Sequence, residues 1–594
     1  MNLNTLFCRC FWFLFFIPVF LYGEIPPVFQ LDSHFQIRKD ELARLYITPV
    51  SIVSKYAGCK GDLVKYEQFL LKQGNGQAQM GQKNCCLMRS TENEKASLLL
   101  DFGRELHGGI RLVMGTSSYR TPSLVRIRFG ESVGEANSQT LNTEWKVGFS
   151  TDDHAKRDIV MEIPRDGMIE FGNTGFRFVR IDLLENNRTI ALKEVSAILR
   201  YRDIPYLGSF SCSDERLDKI WMTGAYTVHL NMQEYLWDGI KRDRLVWLGD
   251  LHPELRTITR VFGGNEVVAK SMDLACEQFP LPGWMNGMSA YSMWYLINQC
   301  DWYRQTGDAD YLKKHADYIS GLVHLVDKKV DAQGNEMLSD HRFLDWPSSD
   351  NPKGVEAGYR ALIIWAMQDA AILSEKLGKK EDADLCMDII ERMKKKILPH
   401  NNLKQAASLM TLAGIMDPKQ ACEEVIAVGM GKGFSTFYGY YMLEALAKAG
   451  EYQKAMDIIS QFWGGMLDLG ATTFWEDFNL DWIVDAAPID KPVPAGKKDI
   501  HGDFGAYCYP GFRHSLCHGW SSGPTAWLSD HVLGVKIVDV EKKLVSIEPH
   551  LGKLSWAKGT YPTPWGVIEV SHRKLSDGSI SSSVKLSEGV RQIH

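Results

Sequence analysis

The 594-residue chain is 45% hydrophobic and 24% charged, the proportions of a globular protein rather than a disordered one, and its length allows about three to five compact units of ~100–200 residues each. Its formal net charge is −6 and no long Lys/Arg run occurs, which excludes the electrostatic footprint of a nucleic-acid binder. The 17 Trp and 11% aromatic content suit a protein that holds neutral ligands such as sugars on aromatic faces, although buried Trp accounts for most such counts.

In chain order, Arg9 precedes an apolar run from Phe11 to Tyr22, followed by Gly23 and Glu24. That run is too short to span a bilayer comfortably, so residues 1–23 read as a secretory signal, with no stable membrane span after its removal and a periplasmic or cell-surface destination. A retained anchor helix is the alternative. The cysteines at 59, 85, 86, 212, 276, 300, 386, 422, 508 and 517 have no repeated spacing. They predict isolated buried thiols, not a zinc site or disulfide framework.

Residues 24–207 read as an N-terminal β-sandwich. Segments such as Ser97–Gly103, Leu124–Gly130 and Phe176–Ile181 alternate apolar and polar positions between clusters of turn residues. Near Ser213 the period changes to three and four, and residues 208–533 read as helices paired in hairpins. One hairpin joins Ala357–Leu377 to Glu381–Leu398 across Gly378, and another joins Ser435–Ala449 to Tyr452–Phe462 across Gly450-Glu451. Further helices are expected at 215–234, 253–279, 289–306, 310–329, 404–413 and 417–428. Ten or more helices so arranged predict an α/α barrel. Residues 534–594 return to short strands, such as Leu544–Ile547 and Val567–Val570, and form a small C-terminal β-domain.

Two clusters carry chemistry. The stretch from Trp237 to Asp250 places Asp238, Lys241, Arg242, Asp243, Arg244, Trp247 and Asp250 in a loop after a helix, where catalytic groups are commonly presented. Guanidinium neighbours depress a carboxyl pKa, and an apolar wall raises it. An ion-pair network tying the loop to the helices is the alternative. The second cluster is Gly470-Ala471-Thr472-Thr473-Phe474-Trp475-Glu476, in which Glu476 follows six uncharged residues. Two carboxylates from distant loops are what glycosidic hydrolysis needs. Asp345-Trp346, and His514 and His518 in the Gly/Ser-rich stretch before the last helix, suit hydrogen bonding to sugar hydroxyls; a buried, satisfied histidine is the plain alternative for either His.

These residues resemble the bacterial α-L-rhamnosidases of glycoside hydrolase family 78, whose catalytic domain is a six-hairpin (α/α)6 barrel. The family's acid loop, Asp-Cys-Pro-x-Arg-Glu-Arg-Leu-Gly-Trp-x-Gly-Asp, matches at Asp238, Arg242, Arg244, Leu245, Trp247, Gly249 and Asp250. Its Gly-Ala-Thr-Thr-x-Trp-Glu segment matches residues 470–476, its Gly-Asp-Trp loop partly matches Leu344-Asp345-Trp346, and its late histidine falls on His518. Leu100-Asp101-Phe102-Gly103 and Gly175-Phe176-Arg177-Phe178 resemble its sandwich signatures. The resemblance implies a general acid at Asp243, a general base at Glu476 and an inverting hydrolase without metal or organic cofactor. It also implies sugar-site residues at Asp238, Arg242, Trp247, Asp250, Asp345, Trp346, Trp475 and His518. The substrate is then an oligosaccharide or glycoside.

The chain departs from that pattern at the acid. Asp243 stands where the family usually has Glu, so its carboxylate is one methylene nearer the backbone, and loop or substrate must shift by about 1 Å. Gly239 and Ile240 replace Cys-Pro, and an Asp-, Pro- and Lys-rich segment from Asn479 to Tyr509 follows the base. Two other readings compete with rhamnoside hydrolysis. One is a same-fold hydrolase for another α-linked sugar or a uronic acid, served by Lys241 and its neighbouring Arg; the other is a non-catalytic glycan-binding protein. The sequence leaves the oligomeric state open.

Overall fold

The computed structural model describes residues 26–30, 34, 36–56, 63–116, 119–139, 157–338, 341–507, 509 and 511–593. The expected signal, Cys59 and Cys508 lie outside the described residues. The chain divides into two units, Met1–Glu41 and Leu42–His594. Within the first, the described residues include one short helix, α1 (Pro27–Gln30). All that follows concerns the second.

Nine strands form one antiparallel sheet: β1 (Ala43–Ile47), β2 (Ser51–Tyr56), β3 (Val64–Lys65), β4 (Cys86–Arg89), β5 (Ser97–Met114), β6 (Ser123–Gly130), β7 (Asp158–Ile163), β8 (Met168–Leu183) and β9 (Thr189–Tyr201). Their order is β3-β4-β9-β5-β8-β6-β7, with β1 also on β9 and β2 also on β5. The expected segment Ser97–Gly103 is only the first part of an 18-residue strand. Register breaks between Asp101 and Leu106, and between Gly108 and Ile110, bend β5 so that the sheet curls over one core of Leu98, Leu112, Phe129, Phe176, Ile181 and Val195. Glycine is required in that bend, where a Cβ on Gly109 would lie 2.2 Å from the Phe171 carbonyl oxygen. A short helix, α2 (Val133–Asn137), follows β6.

The helical region comprises α3 (Glu215–Asn231), α4 (Leu251–Val261), α5 (Glu266–Gln278), α6 (Ser289–Thr306), α7 (Ala309–Lys314), α8 (Ala316–Asp327), α9 (Pro352–Lys376), α10 (Lys380–Lys394), α11 (Lys404–Leu412), α12 (Pro418–Ala421), α13 (Gly439–Lys448), α14 (Tyr452–Asp468) and α15 (Gly523–Trp527). Helices α4, α6, α9, α11, α13 and α15 each pack on the next, and α15 returns to α4, closing an inner ring of six. Helices α10 and α14 pack outside on α9 and α13. Gly378 and Gly450 turn the two expected hairpins with left-handed φ of 71° and 80°. The run expected as one helix over 253–279 is two: Gly263 takes φ 78° and Asn265 caps α5 by accepting from Val267 N. Likewise His315, at φ −95° and ψ 1°, separates α7 from α8.

Beyond the ring, β13 (Val535–Asp539), β14 (Leu544–Ile547) and β18 (Arg591–Ile593) form one sheet, and β15 (Trp556–Thr563), β16 (Gly566–Lys574) and β17 (Ile580–Lys585) another. The second sheet takes its edge strand, β10 (Ser209–Cys212), from before the first helix, so the residues expected to open the barrel belong to the C-terminal layer. Two short strands, β11 (Ala486–Ala487) and β12 (Lys498–Asp499), pair inside the segment after Glu476. The described cysteines are free thiols, all but Cys276 buried. Among the described residues no helix is long and apolar enough to cross a membrane.

Candidate active site

The segment carrying Glu476 leaves α14 as irregular chain, and most of its polar groups are matched, the buried Trp475 Nε1 being an exception. Thr472 Oγ1 accepts from Glu105 N at 2.9 Å, Phe474 N donates to Thr227 Oγ1 at 2.9 Å, and Thr473 Oγ1 donates to Leu516 O at 2.7 Å. Glu476 N donates to Ser515 O at 2.9 Å, and Trp520 Nε1 donates to Glu476 O at 2.9 Å. The carboxylate is 4% exposed. Its Oε2 accepts from Ser515 N at 3.1 Å and pairs with Arg242 Nη2, while Oε1 stands 3.9 Å from His518 Nδ1. Burial by itself would raise the Glu476 pKa. Arg242, with His518 and His514, outweighs burial and the repulsion of Asp243, so the group lies below the usual glutamate value.

The loop carrying Asp243 is closed by Asp238, whose backbone N donates to Leu245 O and whose Oδ1 accepts from Leu245 N, both at 3.1 Å. Burial, then Asp243 and Asp250, push Asp238 well above the carboxylate range. Asp243 and Arg244 both have φ 55°, a left-handed pair that costs roughly 1–3 kcal/mol per residue and that Asp tolerates better than most side chains. Arg242 donates from Nε to Arg513 O at 2.9 Å and places Nη1 3.2 Å from Asp243 Oδ2. One guanidinium therefore holds Asp243 on one nitrogen and Glu476 on the other.

His518 joins this pair to Asp250, with Nε2 3.1 Å from Asp250 Oδ1, and Tyr291 OH donates to Asp250 Oδ2 at 3.2 Å. Burial nonetheless raises Asp250. From Tyr291 a chain of edge-on rings runs one way to Trp247 at 5.8 Å and the other way through Phe343, at 6.2 Å, to Trp346, a further 5.3 Å on. Trp247 and Trp346 are only partly buried. Asp345 accepts from Ser435 Oγ at 2.6 Å, Gln405 Nε2 at 3.0 Å and Ser348 N at 3.0 Å, so this carboxylate fixes the turn that presents Trp346.

The structure thus brings Arg242, Asp243, Asp250, Glu476 and His518 together, with Asp238 behind them. Two expectations need correction. Trp475 is 1% exposed and lies edge-on to Phe478 at 5.8 Å, so it packs the core and offers no face to a sugar. Lys241 is also 1% exposed and is paired to Glu131 and Glu135; Arg242 is committed to the two carboxylates, and Arg244 lies over Trp237 at 5.6 Å. None of the three is an open docking group for an acidic substrate. His514 is the buried acceptor of the Asp477 N–H, at 2.9 Å. Sequence reading missed Tyr291, Phe343 and Ser515. Only Ser515 carried a signal, its place in the Ser-x-x-His stretch.

Residues 205–415 match the family model described as the bacterial alpha-L-rhamnosidase six-hairpin glycosidase domain. An alpha-L-rhamnosidase of Alteromonas sp. (strain LOR) is 24% identical over 82% of this chain and 54% of its own, and one of Formosa agariphila is 22% identical over 75% and 50%. The chain spans about half the length of these curated relatives. Among solved structures, the GH78 family rhamnosidase of Bacillus sp. GL1 shares the fold at a TM-score of 0.68 and 20% identity over 86% of this chain and 55% of that one. A rhamnosidase from Klebsiella oxytoca with rhamnose bound aligns at 0.63 and 19% identity, over 82% of this chain and 96% of that one. The closed ring of helices and the match to its sequence agree: residues 205–415 are similar to the bacterial alpha-L-rhamnosidase six-hairpin glycosidase domain, and the fold around them is that of the solved rhamnosidases.

Proposed function

We propose that this protein is a glycoside hydrolase that releases terminal α-L-rhamnose, or a related deoxyhexose, from glycans or glycosides with inversion. The observation that carries the reading is the single Arg242 guanidinium set between Asp243 and Glu476, two carboxylates from separate segments beside an aromatic wall. Glu476, held below its usual pKa, is ionised near neutrality and serves as the base, with Oε1 the oxygen left to take a proton from water. Asp243, the more exposed of the two, donates its proton to the departing glycosidic oxygen. Inversion needs the two carboxyl groups ~6.5–9.5 Å apart with a water between one of them and the ring, and the inverting family that these residues resemble supports that course. The relatives named as alpha-L-rhamnosidases support the choice of sugar.

The test is incubation with an aryl α-L-rhamnoside, rhamnose-containing oligosaccharides and a matched set of uronides. Release of rhamnose, and none from the uronides, is expected. Failure on every rhamnoside contradicts the reading.

A further inference from the structure

Outside the catalytic carboxylates, the most unusual cluster of buried charge lies where the nine-stranded sheet meets the acid loop. Lys241 Nζ stands 2.9 Å from Glu135 Oε1, 3.2 Å from Glu131 Oε2, 2.9 Å from His514 O and 3.2 Å from His501 Nε2. Glu131, Glu135 and His501 are all buried and bring their ligand atoms within 4.8 Å of one another, a spacing that would suit a metal ion. The Lys241 ammonium is the cation that contacts all three, and Arg157 Nη1 pairs with Glu135 Oε1 as well. Glu131 Oε2 also accepts from Leu516 N at 2.8 Å, one residue from the Ser515 N–H that holds Glu476. Removing one partner from such a buried cluster leaves its neighbours with uncompensated charge, so the positions of its members are tightly coupled.

Other contacts cross at the same place. Ile240 and Cys517, which flank Lys241 and Leu516, both belong to the apolar core of the sheet. Arg177, paired twice to Asp101 at 2.8 and 2.9 Å, donates to Gly470 O at 3.1 Å at the head of the base segment. The β5 bulge delivers the Glu105 N–H to Thr472. Asp101 and Arg177 lie in the two sheet signatures noted in the sequence, and their contacts here are to each other and to the base segment.

We propose that Lys241 is a positioning residue: anchored on Glu131 and Glu135 of the sheet domain, it fixes the backbone from which Arg242 holds Asp243 and Glu476. The sheet domain is then a working part of the catalytic site rather than an appendage. This inference rests on the acid and base roles given to Asp243 and Glu476.

The experiment compares Lys241→Met, Glu131→Gln and the double variant with wild type in kcat and KM on an aryl α-L-rhamnoside, well below the melting transition. Ile127→Val, inside the sheet core, is the control for stability alone. Lys241→Met is expected to lower kcat by about 100-fold and Glu131→Gln by about 10-fold, with KM within about threefold, because the reacting groups are displaced rather than removed. The double variant should be no worse than Lys241→Met, since both break one linkage. If all variants keep the wild-type kcat per folded molecule and differ only in melting temperature, or if the two losses multiply, the proposal is overturned. Should Lys241→Met fail to fold, Glu131→Gln carries the same comparison. Should the wild type release no sugar, crystal structures of wild type and Glu131→Gln decide instead: Arg242 displaced from Glu476 supports the linkage, and an unmoved Arg242 overturns it.

Discussion

Glu476 hangs from a segment anchored by backbone and threonine hydrogen bonds to chain packed in the core, with Trp475 wedged among apolar neighbours. Asp243 hangs from a loop left-handed at two successive residues and anchored by charged side chains, among them Lys241 and Arg242. Core packing fixes a position cheaply because it needs only shape. An ionic anchor fixes one only while every partner is present. The difference teaches that the proposed base is held mainly by neutral hydrogen bonds and packing, with the sheet touching the head of its segment through Arg177 and Glu105, whereas the proposed acid depends on charged partners.

The largest effects should come from the carboxylates themselves. Glu476→Gln and Asp243→Asn are each expected to cut kcat by ~10²–10⁴ with the fold intact, read by steady-state rates alongside far-UV circular dichroism. Full activity in both variants would remove the site assignment. Asp243→Glu sharpens the comparison, since it restores the side chain usual in the family. A loss of ~10–100-fold is expected because the loop is set for the shorter residue and glutamate tolerates left-handed φ less well; a gain would show that the loop is still shaped for glutamate.

Arg242→Met probes the link between the two regions through pH. A base works only when ionised, so kcat/KM is lost as pH falls through its pKa. With Arg242 in place that acid limb should lie below the ordinary glutamate value of about 4.3, and without it burial and Asp243 should move the limb to higher pH. An unmoved limb would mean that Glu476 is not the group titrating. The smallest effect is expected from Trp475→Phe. It should cost about 1–2 kcal/mol of stability by thermal melting, through a core cavity, while KM stays within about threefold; a KM rise of tenfold or more would put Trp475 back against the sugar.

The setting of Glu476 was legible in sequence because it is local: seven consecutive residues, Gly470 to Glu476, carry both the resemblance and the packing. The helical hairpins were legible for the same reason, through period and through Gly378 and Gly450. The anchoring of the acid was not. Lys241 reads as a group for an acidic substrate or as part of an ion-pair network within reach of the helices until Glu131 and Glu135, over a hundred residues earlier, fold against it, and no local pattern announces a pairing of that range. Trp475 was misread because an aromatic beside a catalytic residue looks the same whether it faces ligand or core. Strand β10 escaped for want of length, since four residues set no period.

The central claim is that Asp243 and Glu476 act from opposite sides of one sugar ring, with water attacking beside Glu476. Proton NMR of the rhamnose first released from an aryl α-L-rhamnoside, followed before mutarotation, tests it most directly. The account predicts that the β-anomer appears first; release of the α-anomer would contradict it.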